Sequence, residues 1–284
     1  MGELGDLLEL LHGGPRMQSM RATYDLWCDR ERERRAFEAE MRHSSRMPAV
    51  ADVVSFGFAE DSDGEPEECA SIELWFESPA RLREERFPPG AREPTSYGVR
   101  DGDSWWRFDR HLGAVHGSDE DEGGSTGEVG GDFELVLNPP PLVGPLTVEA
   151  LGRGERAGRP VLRARARKRP DLNPVETMFH LRQLPSGADW YELEVDAERG
   201  VLLGLTATHG AKPFWSLAAA EVEFDMAIAP EVFQFSPPAG VELKALEDLF
   251  PDMRVAGARR IVVFLAAAAA TFVLLVVVLF VAGG

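Results

Sequence analysis

Cysteine is nearly absent from this chain: Cys28 and Cys69 are the only two. Two thiols cannot frame a disulfide scaffold, and with no C-x-x-C pair they make neither a redox motif nor a zinc site. Each falls in a stretch that reads as strand, so two buried free thiols are expected; a bridge between them requires an oxidising compartment. Positive charge is outweighed: 30 Lys and Arg stand against 48 Asp and Glu, and a formal charge of −18 argues against a general nucleic-acid binder, which needs a basic surface for phosphates. Catalytic motifs are missing too. There is no G-x-x-x-x-G-K-[ST] loop; the glycine-rich run Gly123–Gly131 is acidic and has no lysine. "GRGERAG" has the wrong spacing for a dinucleotide turn, and neither H-E-x-x-H nor G-x-S-x-G occurs. His111 and His116 flank a turn at Gly113 and read as loop residues rather than a metal pair. The reading is a protein with no catalytic residues, metal or cofactor, and not an enzyme.

What is present falls into three parts. Residues 261–282, "IVVFLAAAAATFVLLVVVLFVA", carry no charge. At about 1.5 Å per residue they span roughly 33 Å, the thickness of a bilayer's hydrocarbon core, and predict one transmembrane helix. Arg254, Arg259 and Arg260 make residues 251–260 a basic juxtamembrane linker. By the positive-inside rule the large N-terminal part then lies in the cytoplasm, held to the cell membrane by a single-pass C-terminal anchor. An export signal hidden by a misassigned start codon would place it outside instead. Residues 1–15 have no basic n-region and read as an amphipathic helix, with Leu4, Leu7, Leu8 and Leu11 on one stripe before Gly13-Gly14-Pro15.

Residues 16–250 form the body. The pattern there is mostly period two, as in "SMRATYDLWCD", "ASIELWFES", "RPVLRARARKR" and "WYELEVDAERGVLLGLTATH". In the last of these a turn at Asp196–Gly200 signals a hairpin. Strand pattern continues through "AAAEVEFDM" and the proline-flanked segment after it, which together supply a last strand. Helical pattern is limited to the start, Arg30–His43 and a short turn around Asp132–Leu137. Strands joined by turns, without strand–helix alternation, indicate an α+β chain built on an antiparallel sheet or open barrel. Two acidic runs, at about 60–68 and 117–131, read as solvated loops because like charges so dense repel. Arg163, Arg165 and Arg167 alternate on one strand, the pattern of a wet face or guarded edge, with anionic headgroups as the other reading.

Four segments in order resemble the lipoprotein-carrier superfamily typified by LolA, LolB and RseB. Asp101, Gly102, Trp106, Phe108 and Asp109 fit its D-G-x-x-x-W-x-[YF]-D pattern. Ala157–Pro160 resembles its A-G-R-P turn, residues 191–207 its D-x-x-x-G hairpin, and Ala229–Leu243 its closing F-x-F-x-P-P-x-G-V. The resemblance implies a strongly curved antiparallel sheet, a half-open β-barrel, with helices covering its concave apolar face. It also implies a cavity that takes an acyl chain or a lipoprotein segment without catalysis. The chain departs from that family by its terminal anchor and by having no signal peptide or lipid-attachment cysteine.

The stretch Val99–Gly117 focuses the question of a site. After the Asp101-Gly102 turn, alternation puts Trp106 and Phe108 on one face and Trp105, Arg107 and Asp109 on the other. Trp106 and Phe108 either pack the sheet against its helices or line an apolar ligand cavity. Tyr24, Leu74, Phe76 and Tyr97 are further candidates for the wall. Two functions follow, with a hydrolase or transferase as the third alternative. One is a membrane-tethered domain that binds a hydrophobic ligand, lipid or acyl chain, at the bilayer. The other is an RseB-like module that binds a protein partner, its acidic loops setting partner choice.

Overall fold

The computed structural model describes residues 2–43, 67–110, 113–118, 133, 136–137, 139–142, 144–170 and 184–245. Twelve strands form one large, curved, unclosed sheet. They are β1 (Ser19–Asp29), β2 (Glu67–Glu77), β3 (Arg81–Phe87), β4 (Ser96–Asp101), β5 (Ser104–Asp109) and β6 (Gly113–Ser118), then β7 (Leu146–Arg156), β8 (Arg159–Lys168), β9 (Trp190–Asp196), β10 (Leu202–His209), β11 (Lys212–Phe224) and β12 (Leu243–Ala245). Their order is β12-β6-β5-β4-β3-β2-β1-β11-β10-β9-β8-β7. Every pairing is antiparallel except β12 on β6. Helices α1 (Glu3–Gly13) and α2 (Arg30–His43) are α-helical, as are the described residues Phe133, Val136 and Leu137.

Turn chemistry explains the meander. Asp101-Gly102 closes β4 onto β5 with Gly102 at φ 63°, and Ala157-Gly158 closes β7 onto β8 with both residues at positive φ, as a two-residue type I′ hairpin needs. Between β9 and β10 the Asp196 carboxylate accepts the Glu198 and Arg199 N–H groups at 2.9 and 2.7 Å and takes Arg159 Nε at 2.5 Å. Asp196 is fully buried, so the aspartate is both a turn cap and the buried half of an ion pair whose arginine is partly exposed.

One face of the sheet is the core. Met20, Ala22, Tyr24, Leu26 and Cys28 point inward from β1, joined by Ile72 and Leu74 of β2, Tyr191, Leu193 and Val195 of β9, and Leu162, Ala164 and Ala166 of β8. Helix α1 covers it with Leu7, Leu10 and Leu11, while Leu4, expected on the same stripe, is exposed. Register breaks occur at Thr23/Tyr24, Ala150/Gly152, Leu202/Gly204 and Ala207/Thr208. Bulges bend and twist a sheet, and all four lie in the half made by β7–β11 and β1. The arm β2–β6 keeps an unbroken register.

Three expectations need correction. The proline-flanked segment does not extend the last strand. Asp225 turns the chain at φ 55°, and residues 226–242 cross back to deliver β12 beside β6. Pro230, Pro237 and Pro238 have no N–H to give a ladder, which explains why the segment stays outside it. Cys69 is exposed, not buried: it pairs with Trp27 and so faces away from Cys28, which pairs with Glu68. The membrane location is corrected as well. Among the described residues no helix is long and apolar enough to cross a membrane, so the single-pass anchor with a cytoplasmic domain finds no support. Residues 251–260 and 261–282, and nearly all of both acidic runs, lie outside the described residues.

Asp196→Ala strips the turn of its carboxylate cap and leaves Arg159 with Glu198 as its remaining ion-pair partner. The loss of these charge-assisted hydrogen bonds is expected to lower unfolding stability by about 2 kcal/mol. Urea denaturation of the two chains measures it, and a loss under about 1 kcal/mol would mean the turn holds without its carboxylate.

Candidate functional site

Directly paired residues in an antiparallel ladder share a face, so the register sorts the expected wall into two groups. Tyr24, Leu74 and Phe76 lie on the inner face, in rows Tyr24–Ile72, Ala22–Leu74 and Met20–Phe76. Tyr97, Phe108 and Trp106 lie on the opposite, outer face, in rows Glu73–Glu85–Tyr97–Phe108 and Trp75–Arg83–Val99–Trp106. The six residues do not form one wall.

The inner group is enclosed. Tyr24 and Leu74 have no exposed surface, and Phe76 is half-buried against the core. The Tyr24 hydroxyl donates to the Leu202 carbonyl at 3.0 Å, and its ring lies 5.5 Å from that of Phe133. Burial, with the Asp196 carboxylate adding to it, pushes the Tyr24 phenol far above its ordinary value. It is a structural hydrogen-bond donor, with no role as an acid. Further along the same face, Trp105 is 1% exposed and its Nε1 has no partner among the described residues. Its ring fits over Gly117, where an added Cβ would sit 2.5 Å from the indole. Parity thus buries Trp105 and leaves Trp106 half-exposed.

The outer face of the arm is different. Residues 230–236, entering as a 3₁₀ turn at Pro230–Phe233, lie over β3 and β4. Arg83 Nη1 donates to the carbonyls of Val232 and Gln234 at 3.1 and 3.2 Å, and the Tyr97 hydroxyl donates to that of Ser236 at 2.6 Å. The Tyr97 ring is 5.3 Å from Phe108 and 5.5 Å from Phe235, and Arg81 stands 5.9 Å above Phe233. Arg83 is fixed by Glu85 at 2.5 Å. Burial pushes the Tyr97 phenol up, Arg83 draws it back and Glu85 adds to the rise. Beside this strap opens a cleft of about 600 Å³, walled by Trp75, Tyr97, Glu73, Glu85, Arg83 and Glu231. Sequence reasoning missed Trp75, Arg83 and Glu231. Trp75 and Arg83 give no signal beyond alternation, and the strap was read as strand.

The arginine ladder is paired. Arg156 and Arg163 reach Glu194 at 2.7 and 3.8 Å, Arg165 reaches Glu192 at 3.3 Å, and Arg165 and Arg167 stand over the Trp190 ring. Matched charge of this kind makes a solvated face. Among the described residues there is no group of three His, Cys, Asp or Glu side chains placed to hold a metal.

Fold and clefts define an open-sheet domain with an enclosed apolar face and a furnished outer face. No protein-family model matches the chain, and no curated protein does. Among solved structures, MucB overlaps 84% of this chain and 63% of its own at 15% identity, with a TM-score of 0.45. The Pseudomonas aeruginosa MucA/MucB complex overlaps 84% and 61% at 15% identity, TM-score 0.44. A LolA-superfamily protein from Nitrosomonas europaea overlaps 81% and 97% at 7% identity, TM-score 0.30. The chain spans less than two thirds of the MucB chains it matches. Overlaps of this size concern outline alone, and neither ligand nor partner passes from them to this chain.

The two thiols differ in environment. Cys28 Sγ donates to Glu33 at 3.1 Å, and its pKa is pushed up to about 12, first by burial and then by Glu33. At pH 8 in native buffer, iodoacetamide is expected to label one thiol per chain, at Cys69, with Cys28 reacting only after denaturation. Mass spectrometry of the labelled peptides checks this; equal labelling of both would contradict it.

Proposed function

We propose that this chain is a non-enzymatic interaction module that seats a protein partner on the outer face of its β2–β6 arm. The observation that carries this reading is where the chain spends its aromatics. Tyr24, Trp105, Tyr191 and Phe214 are consumed by the core, while Tyr97, Phe108 and Trp106 remain half-buried on a regular, unbulged stretch of sheet beside an open cleft. Large side chains with one apolar and one wet end suit a protein interface. Trp106 and Phe108 are the contact residues, and Tyr97 contributes the flank of its ring that Phe235 leaves open.

A hydrophobic ligand, lipid or acyl chain, on the inner face is the second reading. One observation favours it. The pairs that tie α1 over the apolar face, Arg153 to Glu3 at 3.9 Å and to Asp6 at 3.7 Å, are exposed and long. Such pairs contribute little, so moving α1 to admit a chain against Tyr24, Leu74 and Phe76 costs mainly the burial of Leu7, Leu10 and Leu11.

Photocrosslinking of the full-length chain in living cells separates the two. A benzophenone amino acid at position 106 is expected to yield a protein adduct, and the same group at position 76 none. A lipid adduct at 76 with no protein adduct at 106 would reverse the order of the readings. Circular dichroism of each purified chain confirms that the substitution left the sheet intact.

A further inference from the structure

The cleft beside the strap has a chemistry that names its occupant. The geometry points to an extended polypeptide segment carrying a lysine or arginine side chain, docked between Trp75 and the strap with the cation directed to Glu231 and Glu73. This inference rests on the interaction reading above and specifies what the partner brings.

Three independent observations converge. The first is the space: about 600 Å³ is within the range of small-ligand pockets, roughly 300–1,000 Å³, and holds one long side chain with its flanking backbone. The second is the strap. This face of the sheet already holds extended backbone, because Arg83 and Tyr97 give their donors to main-chain carbonyls of residues 232, 234 and 236. Binding through main-chain oxygens makes few demands on sequence; with these donors spent on the strap, a second segment laid beside it is held by the rings and carboxylates of the cleft.

The third is charge. Glu73, Glu85 and Glu231 line the cleft with Arg83 as the one cation among its lining residues. Arg83 is engaged with Glu85, and the nearest cation to Glu73 is Arg21 at 4.0 Å. No ion pair to Glu231 forms among the described residues. Arg21 already stands 5.9 Å over the Trp75 ring, and Arg83 stands 5.6 Å over Tyr97. Both aromatic walls therefore sit where cations are held. A ring face next to an unmatched carboxylate attracts an ammonium or guanidinium through the ring quadrupole and the charge together. An acidic segment meets Glu231, which has no ion pair among the described residues, and Glu73, held by Arg21 only at 4.0 Å, and is repelled.

The full chain is titrated with fluorescein-labelled acetyl-Lys-Phe-Lys-Phe-Lys-amide, and with the norleucine analogue that keeps the stems and drops the charges. Fluorescence anisotropy is read at physiological salt. The lysine peptide is expected to bind and the norleucine peptide to bind more weakly. Glu231→Gln and Trp75→Ala are each expected to weaken the lysine peptide about fivefold, the size of one exposed cation–ring or ion-pair contact. Glu149→Gln with Glu155→Gln, which removes two exposed carboxylates of β7, is the control for the chain's general negative charge. Equal weakening in the control, equal binding of the norleucine peptide, or no binding by the unaltered chain would overturn the inference. Thermal melts show that each variant is folded. Crosslinking at position 106 that persists undiminished in Glu231→Gln sinks the basic-segment inference alone; crosslinking absent from the unaltered protein sinks the interaction reading itself.

Discussion

Cross-strand register is the constraint on which everything else in this domain depends. In an antiparallel ladder a residue and its direct partner emerge on the same side, and a slip of one position would exchange the two sides of every strand beyond it. Once Met20, Ala22, Tyr24 and Leu26 are committed to the core, parity runs outward through β2 and β3 to β5. It buries Leu74 and Trp105 and presents Trp75, Tyr97, Trp106 and Phe108 to the other side. The outer cleft is thus a product of the same decision that makes the core.

Curvature is distributed unevenly along this ladder. The four register breaks fall where the sheet must wrap α1 and the side chains of Phe133 and Leu142. There Tyr191, Leu193, Leu205 and Leu217 join Tyr24 in one buried cluster. The β2–β6 arm has no such breaks and stays regular enough to carry straight rows of side chains. The bent half holds the molecule together, and the regular half faces outward with its aromatics.

Much of the local structure was legible in the residues. Alternation located β1 to the residue, the Asp101-Gly102 and Asp196–Gly200 turns closed where glycine and aspartate place them, and the Ala157-Gly158 turn closed where the family resemblance implied one. Legibility ended at tertiary pairing. Alternation says that Trp105 and Trp106 face opposite ways but not which way is in; that is decided by the register carried out from β1, and Gly117 on the neighbouring strand makes room for the buried indole. The same gap split the six wall candidates, because nothing local to "SYGVRD" reveals that Tyr97 pairs with Glu85 rather than with an inner residue. Residues 226–242 were misread for the converse reason: their hydrophobic alternation is that of a strand, and only their prolines mark them as a segment that cannot join a ladder.

The long return from β11 to β12 has a kinetic corollary. β11 sits beside β1 in the middle of the sheet, whereas β12 lies at the far rim against β6, six strands away from β1 in the order. The three residues of β12 find their place only after the meander from β1 to β6 has been laid down. Contacts this remote in sequence close late, since the entropy of joining distant chain positions precedes any reward from them. The rim is therefore the last part of the sheet to zip and the first to open, and the strap latches a pre-assembled arm.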